Sequence, residues 1–79
     1  MSFKDKHALE TLPDQITALQ EEIVKIQAQL VDMDFYARDP REFEKTAAAL
    51  SKAETEIAAA EERWLELEMA REEIEAGRG

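Results

Sequence analysis

Regularly spaced carboxylates are the feature of this sequence most suggestive of chemistry. Glu54, Glu61, Glu68 and Glu75 recur every seven residues, so on a helix they form one stripe. Such a stripe holds a hard cation only where further oxygen ligands converge on the same point. The neighbouring apolar positions carry hydrocarbon side chains rather than the inward-facing Glu and His of di-iron bundles. The spacing therefore indicates a solvated acidic face and predicts no metal site.

No other residue pattern in the chain points to catalysis. His7 is the sole histidine, the chain has no cysteine, and His7 has no second metal-ligating or nucleophilic residue spaced to work with it. The sequence also lacks a Gly-rich phosphate loop, a Walker lysine, a nucleophile elbow and an HExxH motif. We therefore predict no catalytic residues, no enzyme activity and no cofactor for this chain.

Length and composition favour one small helical unit. The chain has 79 residues, of which 44% are hydrophobic and 37% charged, with only two Gly and two Pro, a composition typical of long helices and coiled coils. Its apolar runs are too short to cross a bilayer, and the N-terminus lacks the apolar core of a signal peptide. We expect a cytoplasmic location and no membrane partner.

Two apolar stripes predict how the chain folds. Each has alternating spacings of three and four residues, and together we call them the seam. The first comprises Leu9, Leu12, Ile16, Leu19, Ile23, Ile26, Leu30 and Met33, and the second Phe43, Thr46, Leu50, Ala53, Ile57, Ala60, Trp64 and Leu67. If the chain reverses near Arg38, residues whose numbers sum to 76 face each other, and every seam position meets another. The pattern predicts an all-α, antiparallel two-helix coiled-coil hairpin.

Helix breakers and capping residues set the expected boundaries. Pro13 disfavours helical geometry at Leu12, which predicts a kink or break between a short N-terminal helical segment at about residues 3–12 and a first long helix at 13–33. In this register, the N-terminal segment places Asp5 opposite Arg71.

The second half of the hairpin follows a tip turn expected at residues 34–39. Asp39 suits an N-cap, Pro40 suits the first helical position, and Glu42 is spaced to reach back to the cap residue. The second long helix is expected over residues 40–76, and residues 1–79 form a single coiled-coil domain.

The predicted hairpin has two long edges of different charge. The edge that we call the mixed edge brings together four basic residues, which are the candidate nucleic-acid contacts: Lys25, Lys45, Lys52 and Arg63. It also carries Glu22, Asp32, Glu56, Glu66 and Glu73. The opposite edge, the acidic edge, carries Asp34, Glu44, Glu54, Glu61, Glu68, Glu72 and Glu75, with no basic residue expected there. A net charge of −9 repels phosphates, so we expect weak, salt-sensitive binding.

Three segments of the sequence resemble a known family: ALETLP at residues 8–13, FYARDP at 35–40 and AEERWLELE at 60–68. In this order they resemble the C-terminal coiled-coil domain of the ABC-F ATP-binding proteins, of the Uup type. The resemblance covers residues 2–73. It implies the tail of a soluble cytoplasmic protein with two ATP-binding cassettes, to which ATP and Mg²⁺ would belong.

The resemblance also implies a role. Uup-type tails are associated with DNA binding and with supporting the ATPase, and ABC-F proteins act at the ribosome. We therefore expect a non-catalytic, monomeric C-terminal interaction module whose partners are DNA, ribosomal RNA or the parent cassettes. The alternative is a protein-interaction or intramolecular docking module, or a homodimeric four-helix bundle, that uses apolar positions off the seam: Val24, Val31, Leu65 and Met69.

Overall fold

A computed structural model describes residues 1–78 of the chain, and Gly79, the last residue of the predicted domain, lies outside them. Within that range there are three helices: α1 at Phe3–Leu30, α2 at Met33–Arg38 and α3 at Pro40–Arg78. The long helices α1 and α3 pack along each other, and α2 lies at the tip between them. The molecule measures 61 × 16 × 14 Å. The predicted all-α hairpin is confirmed.

The seam is the core of the molecule. Leu12, Ile26, Ala53 and Leu67 are between 3% and 9% exposed, and every other seam residue except Met33 is half-buried. The two helices run antiparallel, because residues from the first half of α1 line grooves with residues from the second half of α3. Each seam side chain therefore loses contact with water by packing across the hairpin, which is the main favourable contribution to folding in such a small chain.

On the first helix the seam ends at Leu30, one seam position before the predicted Met33. Met33 is 92% exposed, so its predicted place opposite Phe43 is wrong. The reason is that α1 ends at Leu30 and Met33 begins the separate helix α2. Phe35 and Tyr36 contact Phe43 instead, edge to face, with ring centroids 5.5 Å and 5.2 Å from that of Phe43. Aromatic rings therefore close the tip.

The tip is a capped helix rather than the predicted turn. The Asp34 amide donates to Oδ1 of Asp32 at 3.0 Å, which caps α2, and the same carboxylate pairs with Arg38 at 3.4 Å. At the next helix start, the Glu42 amide donates to Oδ1 of Asp39 at 3.2 Å, so Asp39 is the N-cap of α3 as predicted. We expected the Glu42 side chain to accept a hydrogen bond from the cap residue, Asp39. The Asp39 amide donates to the Phe35 carbonyl at 3.0 Å instead.

Helix α1 runs through Pro13 without the expected break. The predicted segment at residues 3–12 and the predicted helix at 13–33 are one helix, Phe3–Leu30. Proline inside a helix costs about 3 kcal/mol, and here Pro13 faces solvent while Leu12 is buried and Ile16 half-buried against α3. Burying each such side chain contributes about 1.5–3 kcal/mol, enough to offset the proline. Ser2 caps the start of the helix by accepting the Asp5 amide at 3.2 Å.

The close approach of the helices at Ala53 gives a test of the packing. Ala53 is 3% exposed, so Ala53→Leu overfills the seam and lowers the free energy of unfolding by about 1–3 kcal/mol. In a chain of this size, each kcal/mol lost from the free energy of unfolding lowers the Tm by roughly 4–8 °C. The matched control is Ala58→Leu, at an exposed position of the same helix. Thermal unfolding followed by circular dichroism measures both, and equal Tm values would contradict the seam.

Candidate nucleic-acid interface

Three lysines of the predicted mixed edge are exposed, and Lys25 also lines a groove on the outer face of α1 with Thr17, Gln20, Glu21 and Val24. Lys25 projects from α1, Lys45 and Lys52 project from α3, and all are exposed. In the hairpin register Lys25 and Lys52 lie at nearly the same level, and Lys45 lies one heptad, about 10 Å, nearer the tip. None of the three forms an ion pair within the part of the chain that the structure describes. Their ammonium groups are therefore available to an anionic ligand.

Arg63, the fourth candidate, is already paired. Its Nη2 lies 3.3 Å from Oδ1 of Asp5, and its side chain remains 53% exposed. The expected partner of Asp5 was Arg71, and that expectation is wrong. Arg71 donates to Glu68 at 2.6 Å, one turn earlier on its own helix, where no second helix has to be brought into position. The Asp5 carboxylate thus compensates much of the charge of Arg63.

The acidic residues of the mixed edge are unevenly placed. Glu66 and Glu73 lie toward the open end of the hairpin, where α1 begins and α3 ends. Asp32, near the tip, pairs with Arg38. Glu22 and Glu56 lie about one turn from Lys25 and Lys52, so the three lysines lie in the half of the edge nearer the tip with carboxylates beside two of them.

The acidic edge does carry a basic residue, contrary to prediction. Because α1 is continuous, Lys6 lies on that edge at the open end, in a groove of about 470 Å³ whose lining also includes Glu10 and Glu75. Nearer the middle of the hairpin a second groove, which we call the Trp64 groove, has a volume of about 510 Å³. It is lined by Pro13, Ile16, Thr17, Gln20, Glu61, Trp64 and Leu65.

The remaining chemistry-bearing residues do not converge on a site. Over residues 1–78 no group of three or more His, Cys, Asp or Glu side chains is arranged to hold a metal ion. His7 stacks beside Phe3, with ring centroids 6.4 Å apart. No helix of the described residues is long and apolar enough to cross a membrane.

Sequence reasoning missed the Asp5–Arg63 pair and the Trp64 groove. The pair depends on how far the Arg63 side chain reaches, which residue spacing does not encode. The groove depends on α1 passing through Pro13, and the sequence signal that could have found it is the unbroken seam spacing of Leu9, Leu12 and Ile16. That spacing continues across the proline, which indicates one helix face.

Comparison with known proteins places this chain in a family. The model of the ABC transporter C-terminal domain matches residues 1–69. The chain belongs to this family. The ATP-binding protein Uup of Escherichia coli strain K12 is 32% identical to it over 68 residues, which are 86% of this chain and 11% of Uup. No solved structure matches. These findings confirm the resemblance seen in the sequence.

Family membership gives the chain the character of a C-terminal module. It spans only 11% of the length of the relative that it matches, so the greater part of Uup has no counterpart here. The family match includes all four candidate basic residues, the Trp64 groove and the whole tip. The surface features described above therefore lie within the family domain.

The Asp5–Arg63 ion pair can be tested by a double-mutant cycle. The variants Asp5→Asn, Arg63→Gln and the double variant should give a coupling of about 0.5 kcal/mol, since both side chains are substantially exposed. The control cycle combines Asp5→Asn with Arg41→Gln, an exposed arginine at the other end of the hairpin, and should be additive. Urea unfolding measures each variant. A coupling no larger than that of the control cycle would contradict the pair.

Proposed function

We propose that the chain is a non-catalytic C-terminal interaction module of an ABC-F ATP-binding protein of the Uup type, and that it contributes nucleic-acid contact to the parent ATPase. The contact surface is the mixed edge, and the ligand is DNA or ribosomal RNA. ATP and Mg²⁺ act in the cassettes of the parent protein, a cytoplasmic ATPase on which the module also docks. The isolated chain is a monomer.

The observation that carries this proposal is the group of exposed, unpaired lysines in the half of the mixed edge nearer the tip. Lys45 and Lys52 are about 10 Å apart along α3, which corresponds to about three phosphates of one DNA strand at 3.4 Å each. Lys25 adds a third ammonium group from the other helix. The seam holds the two helices together, so binding needs no ordering of the backbone, and the remaining ordering cost is that of the three lysine side chains.

Screening decides how the net charge of −9 affects this surface. The hairpin is 14–16 Å wide, whereas the Debye length is about 8 Å at physiological ionic strength. A phosphate at the mixed edge is therefore largely screened from the acidic edge. Three lysine contacts give a salt slope of about −2.7, so raising salt from about 50 to 200 mM weakens binding about 40-fold. Contact by this module is short-ranged and weak, and attachment to the parent protein raises its effective concentration at the nucleic acid.

Arg63 is a secondary contact in this proposal. A phosphate that reaches Arg63 must compete with the Asp5 carboxylate at 3.3 Å. The guanidinium group of Arg63 bonds to Asp5 through Nη2, so its remaining N–H donors are available to a phosphate. Arg63 therefore extends the surface toward the open end and adds less affinity than the lysines do.

A charge-reversal pair tests the proposal. Lys25→Glu/Lys52→Glu reverses two charges at one level of the mixed edge, and Lys6→Glu/Arg41→Glu makes the same change in net charge away from it. Fluorescence anisotropy with duplex DNA, single-stranded DNA and a ribosomal RNA helix, in a salt series, measures binding. The first variant should bind too weakly to detect and the control should keep a salt slope of about −2 to −3.

Two results would contradict the proposal. Equal loss in the two variants would show that total charge, and not the mixed edge, governs binding. Absence of binding to all three ligands at low salt would leave the chain as an interaction module without nucleic-acid contact.

A further inference from the structure

We propose that the Trp64 groove binds a basic amphipathic helix of a partner protein. This inference concerns the acidic edge, opposite the lysines of the mixed edge, so it stands independently of the nucleic-acid contact proposed above. It rests on an apolar floor, a carboxylate rim and the shape of the hairpin.

The floor of the groove is apolar. Ile16 and Trp64 are seam residues that stay half-buried and line the groove from opposite helices. Pro13 and Leu65 extend this surface, and Leu65 is 54% exposed although it is a large apolar side chain. One side chain from a partner that covered Leu65 and the edge of Trp64 would bury apolar surface that the hairpin itself leaves in water.

The rim of the groove is acidic. Glu61 lines the groove, and Glu54 occupies the same heptad position one repeat, about 10 Å, nearer the tip. Glu68, one repeat to the other side, already accepts a hydrogen bond from Arg71. Lys6, the basic residue found on this edge, lies in the separate groove at the open end. A ligand that places cations beside an apolar anchor therefore fits this groove, and an anionic one does not.

The shape of the site favours a helix as the ligand. The groove lies between two antiparallel helices and runs along them, so a third helix can lie in it as in a three-helix bundle. The distance from Leu65 to Glu54 is about 16 Å, or three turns of such a helix. Leucines at the i, i+3, i+4 and i+7 positions of the ligand would face the floor, and flanking Lys or Arg would reach the carboxylates.

A second copy of this chain is a poor occupant by charge. Each copy carries −9, and the mixed edge that it would offer has four basic and five acidic residues, so it brings no net positive charge to the acidic edge. Bringing two such rods together edge to edge sets like charges against each other. A basic partner has no such cost, because its cations face the carboxylates of the acidic edge.

The test uses a labelled peptide of about 18 residues with leucines at the helical spacing and flanking lysines and arginines, which covers the three turns from Leu65 to Glu54 with about one further turn at each end. A scrambled peptide of identical composition is its control. The 79-residue chain should bind the first peptide saturably and the scrambled one much more weakly. Circular dichroism of each protein variant checks that the hairpin stays folded.

Two pairs of variants locate the binding. Glu54→Gln/Glu61→Gln should weaken binding about 5-fold, and Glu56→Gln/Glu66→Gln, which removes the same charge from the mixed edge, should change it less than about 2-fold. Leu65→Ser should weaken binding about 10-fold, as expected for loss of an anchor. Met69→Ser, at a similarly exposed residue outside the groove lining, should leave it unchanged.

Three outcomes would overturn the proposal. The first is no saturable binding up to about 100 μM peptide. The second is equal binding of the scrambled peptide, or equal weakening by the control variants, because either shows attraction by total charge alone. The third is a concentration-dependent dimer in sedimentation that Leu65→Ser abolishes, since a second copy would then occupy the groove.

Discussion

The packing of one apolar stripe against another is the interaction on which the rest of the hairpin depends. A chain of 79 residues has too little interior to bury many side chains completely, and even the best-buried ones, such as Ala53 and Leu67, are 3% and 5% exposed. The stability comes instead from many half-buried contacts repeated along the length of two helices. Because the contacts repeat in register, they determine which residues lie on each edge.

Because the seam determines which residues lie on each edge, the folded hairpin has two surfaces of different composition. The lysines of the mixed edge come from both helices, and so do the residues of the Trp64 groove. Neither surface exists on one helix alone. The width of the rod, 14–16 Å, is about twice the Debye length at physiological salt, so the two surfaces act almost independently. The two proposed contacts, with a nucleic acid and with a basic helix, therefore concern separate surfaces of one small module.

The main features of the fold could be predicted from the sequence because periodicity is a strong signal. The seam spacing predicted that the two long helices pair, and Asp39 followed by Pro40 predicted where α3 begins. The edge positions of the four basic residues followed from the same spacing. The placement of Lys25, Lys45 and Lys52 in ligand contact stays a prediction.

The structure differs from the sequence predictions where local backbone preferences compete with packing between the helices. Pro13 carries a strong local signal for a break, but the buried Leu12 beside it keeps the helix continuous, which also moves Lys6 onto the acidic edge. Met33 fits the apolar spacing, yet the cap at Asp32 starts a new helix there and leaves it exposed. The Asp5–Arg63 pair depends on how far a long side chain reaches, which residue spacing does not encode.

A distance measured across the hairpin tests the central claim most directly. The chain has no cysteine, so Ala18→Cys/Ala59→Cys provides two unique, exposed labelling positions at one level of the mixed edge. Double electron–electron resonance between spin labels there should give a distance of roughly 15–25 Å, from an interaxial spacing of about 8–10 Å plus the label arms. The distance should persist when labelled chains are diluted with a large excess of unlabelled chain. A separation near 60 Å, as for one continuous helix, or loss of the short distance on dilution, would contradict the intramolecular hairpin.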